Sequence, residues 1–140
     1  MYNYIKNEYL DFANYHNNKI NLIVHILAGT IYMTSLNILS SCNLLPFYTV
    51  FLLLTFENTE SIFLSTILIY QSTIILYKYK INTKYLIFIF VLNCFIVPEI
   101  SHLISREATV LNFKTLSFNK LITNIIYFLP FSIKRFISII

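Results

Sequence analysis

Three histidines are the side chains of this sequence best suited to chemistry: His16, His25 and His102. Neutral imidazole is the commonest metal ligand among side chains, so a meeting of all three would make a metal site. On one straight helix, at about 100° per residue, His16 and His25 would face opposite sides. They can meet if the chain turns between them, and Asn17-Asn18 offers good N-cap residues for the start of a new helix.

Glu99 stands three residues before His102, so both side chains reach one face of a helix. A Glu-x-x-His pair on an inward face is a ligand arrangement of helical di-iron proteins, and Glu99 therefore joins the candidate metal ligands. Structural roles are the alternatives: an ion pair between Glu99 and His102, an interfacial polar role for His16, and an interhelical hydrogen bond for His25.

A polar and small stripe follows the Asn17-Asn18 turn. Asn21, His25 and Gly29 recur every fourth residue, so they share one helix face. On an otherwise apolar helix, such a stripe should face protein or a cavity rather than acyl chains. Asn21 is then a candidate interhelical hydrogen-bond donor, and Gly29 allows another helix or a lipid chain to come close.

The composition identifies the class of protein that must hold these residues. The 140 residues are 57% hydrophobic and 11% charged, whereas a soluble domain carries about 25% charged residues. We therefore expect an integral membrane protein. One glycine and three prolines favour helices over a turn-rich β-fold. The sequence has no basic cluster with interleaved aromatic residues, which argues against nucleic acid as a partner.

The apolar segments predict a single all-α domain over residues 1–140, a polytopic membrane protein with about four transmembrane helices. A span needs about 20 residues, and the uncharged run Ile20–Phe56 is long enough for a helical hairpin. Its second half is short for a span. The predicted elements are, in order, an interfacial helix in residues 1–17, two helices in Ile20–Phe56 with a turn at Ser40–Asn43, helices at Ser61–Tyr77 and Tyr85–Ile104, a mixed polar segment at Arg106–Lys120, and an interfacial or half-inserted helix at Leu121–Ile133.

The number of spans decides whether the histidines can share a site. Four spans return both termini to one side, which places the start of the first span and the end of the fourth at the same membrane face. Basic residues accumulate on the cytoplasmic side of membrane proteins. The side that holds both termini has more of them, which predicts that both termini are cytoplasmic. With four spans, the terminal side holds Lys6, Lys19, Arg106, Lys114, Lys120, Lys134 and Arg135, and the other side holds Lys78, Lys80 and Lys84.

Three motifs lie at the start of the first apolar helix, at the end of the fourth and in the apolar segment that follows. They are Tyr9-x(6)-His16-x(4)-Asn21-x(3)-His25-x(3)-Gly29, then Ser101-His102-Leu103-Ile104-Ser105-Arg106-Glu107-Ala108-Thr109, and then Phe128-Leu129-Pro130-Phe131. Together they resemble the 2-hydroxy fatty acid dioxygenase family. That family has a His-Asn-His spacing on entry to its first membrane helix. A later membrane helix ends in a histidine, with an acidic residue and a Pro-Ala step after it. Ser101 stands where the family usually has glycine, and Ala108 lacks the preceding proline.

The resemblance implies an iron(II)-dependent enzyme of the endoplasmic reticulum membrane. Such an enzyme uses O₂ to shorten a 2-hydroxy long-chain fatty acid by one carbon with release of carbon dioxide, as in fatty acid α-oxidation and sphingoid base breakdown. His16, His25 and His102 would be the catalytic iron ligands, with Glu107 as the matching acidic residue. A membrane lipid or 2-hydroxy fatty acid and O₂ would be the partners. The alternatives are a haem-binding bundle using His25 and His102, and a non-enzymatic membrane or lipid-interaction protein.

Overall fold

Helices make up all the regular structure of residues 2–108 and 117–140, the part of the chain that the computed structural model describes. The predicted all-α class is confirmed. Thr109 and Lys114, which belong to the motif and charge arguments above, lie outside the described residues. The helices are α1 (Tyr2–Tyr15), α2 (Lys19–Leu39), α3 (Leu44–Thr55), α4 (Thr59–Lys78), α5 (Thr83–Val91), a π-helical turn (Leu92–Ile96), α6 (Val97–Ser105) and α7 (Phe118–Ile139).

Four helical segments of the described chain are long and apolar enough to cross a membrane: α2, α4, the continuous segment Thr83–Ser105 that joins α5 to α6, and α7. This confirms a polytopic membrane protein with four such helices, although the set differs from the prediction. α3 has only 12 residues, about 18 Å at 1.5 Å per residue, and is too short for a full span. Large apolar side chains such as Leu54 and Leu103 are exposed on the outside, as lipid-facing residues should be.

The hairpin between α2 and α3 turns where the sequence predicted. Ser41 and Cys42 both take the left-handed conformation, with φ of 57° and 63°. Asn37 holds the turn, because its side-chain carbonyl oxygen accepts the backbone N–H of Leu45 at 2.9 Å. Its amide nitrogen donates to the Thr73 hydroxyl at 3.1 Å, which joins the C-terminal ends of α2 and α4. The opposite ends of these two parallel helices lie on the side of the histidines.

Pro130 lies inside α7 without ending it. Proline has no N–H to give to the Ile126 carbonyl, four residues earlier. The hydroxyl of Tyr48 on α3 donates to that carbonyl instead, at 2.9 Å. The Tyr32 hydroxyl on α2 donates to the neighbouring Ile125 carbonyl at 2.6 Å. Tyr48 therefore supplies a donor where proline supplies none, and Tyr32 adds a contact one residue earlier. The helix is longer than the predicted Leu121–Ile133.

Both ends of α7 lie against the N-terminal part of the chain. Near its start, the Lys120 ammonium is 3.2 Å from the Asp11 carboxylate on α1. Near its end, Arg135 donates from Nε to the His16 carbonyl at 2.9 Å. A helix that crossed the bundle straight would have only one end in this region. The contacts therefore fit the predicted half-inserted terminal helix, although the length of α7 would also permit a span.

The π-helical turn sets the direction of the last helix before the site. Pro98 cannot donate to the Cys94 carbonyl, and Val97 N–H bonds the Leu92 carbonyl instead, five residues back. In a regular α-helix His102 would lie about 160° around the axis from the buried Leu86. The wider turn removes about 100° of this rotation. His102 therefore comes close to the face that α5 buries.

Candidate metal centre

The chain turns between His16 and His25, as the Asn17-Asn18 pair predicted. α1 ends at Tyr15, and the Asn18 side chain caps α2. The His16 ring stacks on Phe12 with ring centroids 3.8 Å apart. Its Nδ1–H donates to the Phe12 carbonyl at 2.6 Å. These contacts fix the ring so that Nε2 points toward α2.

The three histidines converge through their Nε2 atoms. Nε2 of His25 lies 3.0 Å from Nε2 of His16 and 3.1 Å from Nε2 of His102. One ring nitrogen of each histidine lies within 4.8 Å of the other two, and all three residues are buried. At a metal–nitrogen distance of about 2.1 Å, ligands at right angles are about 3.0 Å apart. The spacings around His25 therefore match neighbouring positions in a metal coordination shell.

The proton positions also favour a cation at this point. The Ser101 hydroxyl gives its hydrogen to the Asn21 side-chain oxygen, so it accepts from Nδ1–H of His25 at 3.1 Å. With Nδ1 also protonated in His16, the Nε2 atoms of His16 and His25 both carry lone pairs. Two acceptors at 3.0 Å repel each other unless a positive charge lies between them. A metal ion at this point would accept both lone pairs.

The polar and small stripe of α2 faces protein, as predicted. Asn21, His25 and Gly29 are all buried. A Cβ atom added at Gly29 would lie 3.1 Å from Cβ of Leu129 and 3.4 Å from its Cα. Glycine is therefore needed for the approach of α7, which brings Phe128 onto His25 with ring centroids 4.8 Å apart.

Glu99 lies beside the histidine cluster without joining it. Within the described residues, the group of potential ligand atoms consists of the three histidines, and the Glu99 carboxylate is outside it. Glu99 instead lines a cavity between α6 and α7 that also borders all three histidines. The cavity wall is mostly apolar and aromatic, with Asn124 as a second polar residue. Its members include Phe12, Tyr32, Phe95, Leu121, Ile125 and Phe128.

Two residues outside the membrane spans, His16 and Glu107, have shifted pKa values that favour a neutral ring in one and an anion in the other. Burial lowers the pKa of His16 to about 4, so its ring is neutral and free to bind a metal near neutral pH. Burial alone would raise the pKa of Glu107, but hydrogen bonds from the Asn17 and Asn18 backbone and from Asn21 hold it below its usual range. Glu107 is therefore an anion at the edge of the cluster, although it is not among the potential ligand atoms.

The histidine cluster and its cavity form the most chemically specific site of the described residues. Comparisons of the chain with protein-family models, with curated proteins and with solved structures find no match.

Several residues of the site are not evident from sequence reasoning. In the sequence Ser101 is only a neighbour of His102, yet its hydroxyl contacts Nδ1 of His25. Phe12 and Arg135 hold the His16 ring and carbonyl. One signal existed: Ser101 occupies the glycine position of the motif that the chain resembles, where a polar side chain is a marked change.

The geometry supports a single metal ion better than a haem. Two axial ligands of one haem iron stand on opposite faces of the ring, about 4 Å apart if each metal–nitrogen bond is about 2.1 Å. Nε2 of His25 and Nε2 of His102 are 3.1 Å apart, with His16 at the same point. Three imidazoles around one centre can hold a metal ion and leave its remaining positions to the adjoining cavity.

Proposed function

We propose that this chain is an iron(II)-dependent dioxygenase of the endoplasmic reticulum membrane. It shortens 2-hydroxy long-chain fatty acids by one carbon, with both termini in the cytoplasm. The observation that carries the proposal is the convergence of three buried imidazole nitrogens beside an apolar cavity. Catalytic metal sites commonly keep three protein ligands and an open position for substrate.

The choice of iron(II) rests on the donors together with the sequence motifs. Imidazole donors suit iron, zinc, copper and nickel, so the cluster alone leaves the metal open. The spacing of His16, Asn21, His25 and Gly29 resembles a family that uses iron(II). Iron bound by the histidines would supply the reduction of O₂, which neither zinc nor the protein side chains provide.

The proposed reaction balances without a separate reductant. A 2-hydroxy acid and O₂ give the acid one carbon shorter, carbon dioxide and water. The bond between the carboxyl carbon and the hydroxyl-bearing carbon breaks, and the latter becomes the new carboxyl carbon. The substrate loses four electrons, which reduce the O₂ fully. No electron-donor protein or nicotinamide is required.

The surroundings of the histidines suit a lipid substrate. The cavity wall from Phe12, Phe95 and Phe128 is apolar, while Asn124 and Glu99 can hydrogen-bond a polar end. The cavity volume of about 50 Å³ suits the reacting end of a substrate rather than a whole alkyl chain. The site lies near the ends of the spans that meet α1, where a lipid headgroup also lies. A fatty acid in the membrane could therefore place its 2-hydroxy carboxylate end at the metal with its tail in the surrounding lipid.

Product formation by detergent-purified protein tests the proposal. With iron(II) and O₂ supplied, the parent should bind one iron per chain and convert a 2-hydroxy long-chain fatty acid to the acid one carbon shorter. His25→Gln and His102→Gln remove the imidazole donor and keep a polar side chain of similar reach. Both variants should lose iron and product, whereas Gln71→Ala, exposed on α4, should keep both.

The alternatives predict different outcomes of the same experiment. A haem-binding bundle would purify with a Soret absorption band. A non-enzymatic lipid-interaction protein would stay folded without iron and give no O₂-dependent product at any chain length. Gln variants that turn over substrate like the parent would rule out the dioxygenase assignment.

A further inference from the structure

Glu107 contacts the segments of the chain that carry the histidines. Its Oε1 accepts the backbone N–H groups of Asn17 at 2.6 Å and Asn18 at 2.7 Å. These residues follow His16 directly, so this oxygen fixes the turn that carries the first histidine. The other oxygen, Oε2, accepts from the amide of Asn21 at 2.6 Å.

Asn21 passes this contact to His25 and lies beside His102. Its side-chain oxygen accepts the Ser101 hydroxyl, which in turn contacts Nδ1 of His25 at 3.1 Å. Its amide nitrogen lies 3.4 Å from Nδ1 of His102. The buried Asn21 side chain therefore lies next to Nδ1 of His102 and, through Ser101, next to Nδ1 of His25. These are the ring nitrogens that point away from the cluster. Through Ser101, Asn21 sets the orientation of the His25 ring and keeps its proton on Nδ1, which leaves Nε2 free for a metal.

The backbone explains why Glu107 can reach these partners. α6 ends at Ser105, and its C-cap residue Arg106 takes the left-handed conformation with φ of 58°. Glu107 N–H bonds back to the His102 carbonyl at 3.2 Å. Because Glu107 follows this turn, its carboxylate lies against Asn17, Asn18 and Asn21 at the start of α2.

We propose that Glu107 is a positioning residue that holds His16 and His25 in metal-binding geometry, the first through the Asn17-Asn18 backbone and the second through Asn21 and Ser101. The inference rests on the proposed metal site and assigns no contact between Glu107 and the metal or the substrate. It deepens the proposed function by naming the group that assembles the site from three separate segments. Positioning partners of this kind typically change metal affinity about 10- to 100-fold when altered.

Exchanging the hydrogen-bond donor and acceptor between positions 21 and 107 distinguishes a positioning role of Glu107 from a general role in folding. In Glu107→Gln, the remaining oxygen can still accept from Asn17 and Asn18, but an amide nitrogen now faces the amide nitrogen of Asn21. In Asn21→Asp, two carboxylates face each other. In the double variant, the new amide at position 107 donates to the new carboxylate at position 21, which still accepts from Ser101. The hydrogen bond is restored with donor and acceptor exchanged.

Cobalt(II) binding to the detergent-purified full chain provides a readout besides turnover. The absorption bands of bound cobalt(II) report its coordination geometry, and their titration gives the affinity. Glu107→Gln and Asn21→Asp should each weaken cobalt(II) binding about 10-fold or more and shift the bands. The double variant should return to within about threefold of the parent. Asp11→Asn is the matched control, since it changes another carboxylate between helices, one that forms an ion pair with Lys120, and it should bind like the parent.

The outcomes distinguish failure of this inference from failure of the proposed function. A parent that binds neither cobalt(II) nor iron(II) overturns both. A parent that binds metal and forms product, with Glu107→Gln unchanged in affinity and spectrum, overturns the positioning role alone. A double variant no better than the weaker single variant also overturns it. If Glu107→Gln does not accumulate, recovery of both folded protein and cobalt(II) binding in the double variant supports the role, and its absence refutes it.

Discussion

Arg135 donates from its Nε to the backbone carbonyl of His16 at 2.9 Å, and a second guanidinium nitrogen bonds the side chain of Asn17. The last described helix thus holds the turn that carries the first histidine. Lys134, beside it, places its ammonium 4.1 Å from the centre of the Tyr9 ring. The two basic residues that were predicted to follow the terminal helix belong to it and fasten α1.

Arg135→Gln should loosen the His16 turn without touching a histidine side chain. Glutamine is too short to reach the carbonyl of His16 and the side chain of Asn17 together, so His16 loses one of its supports. We expect weaker iron(II) binding by about 10-fold, in the range for residues that orient ligands. The titration should be compared with Lys134→Gln, which removes a neighbouring charge and leaves the His16 carbonyl bond. Equal affinities for Arg135→Gln and the parent would contradict the role of this contact.

Gly29→Leu should lower the amount of folded protein rather than the activity per folded molecule. The added side chain has no room, because even a Cβ atom would approach Cβ of Leu129 to 3.1 Å. Overpacking of this kind costs about 1–3 kcal/mol in soluble cores. Thermal denaturation in detergent and product per folded molecule separate the two effects. Leu27→Ile, on the exposed side of the same helix, should leave the melting temperature unchanged.

Acidification should destabilise the metal-free protein through His16. Burial lowers its pKa to about 4 in the folded state, whereas the unfolded chain has a value of about 6.5. Between these values the unfolded chain binds a proton that the folded chain does not, so stability falls as the pH falls, by up to about 3 kcal/mol. Melting temperatures of chelator-treated protein should therefore drop through this range. His16→Gln should show a shallower drop, and an identical drop would refute the assignment.

Both termini should lie on the cytoplasmic side of the membrane. The excess of basic residues on that side motivates this expectation, and the contacts of both ends of α7 with the N-terminal region support it. Tags before residue 1 and after residue 140 should show the same protease accessibility in sealed vesicles, and both should be cut from the cytoplasmic side. Opposite accessibility of the two tags would mean that α7 crosses the membrane.

The sequence was sufficient to predict the parts of the site that follow from local pattern. The N-cap signal at Asn17-Asn18, the buried stripe from Asn21 to Gly29 and the meeting of the three histidines are all present in the structure. These features depend on helix periodicity and on the number of apolar segments. Both can be read from residues that are near one another in the chain.

The supporting contacts could not be predicted, because they join residues far apart in the chain. Arg135 and His16 are 119 positions apart, and Ser101 and His25 are 76 apart. No local pattern encodes such pairs. Glu99 shows the opposite error: a three-residue spacing from His102 suggested a shared role as ligands, but this spacing fixes only the face of the helix. The direction of the side chain toward the cavity depends on the packing of α7.

The π-helical turn at Leu92–Ile96 makes the metal site depend on how one turn of helix is closed. If the same residues formed a regular α-helix, everything after the turn would rotate by about 100°. His102 and Ser101 would then leave the face that Leu86 and Asn93 bury, while the apolar character of the span and its insertion would hardly change. Loss of one residue in the turn would instead keep His102 on that face, because fifteen α-helical steps from Leu86 give about the same rotation as the present sixteen with the wide turn. The metal site should therefore tolerate the loss of one codon in this turn better than a substitution that straightens the turn at constant length.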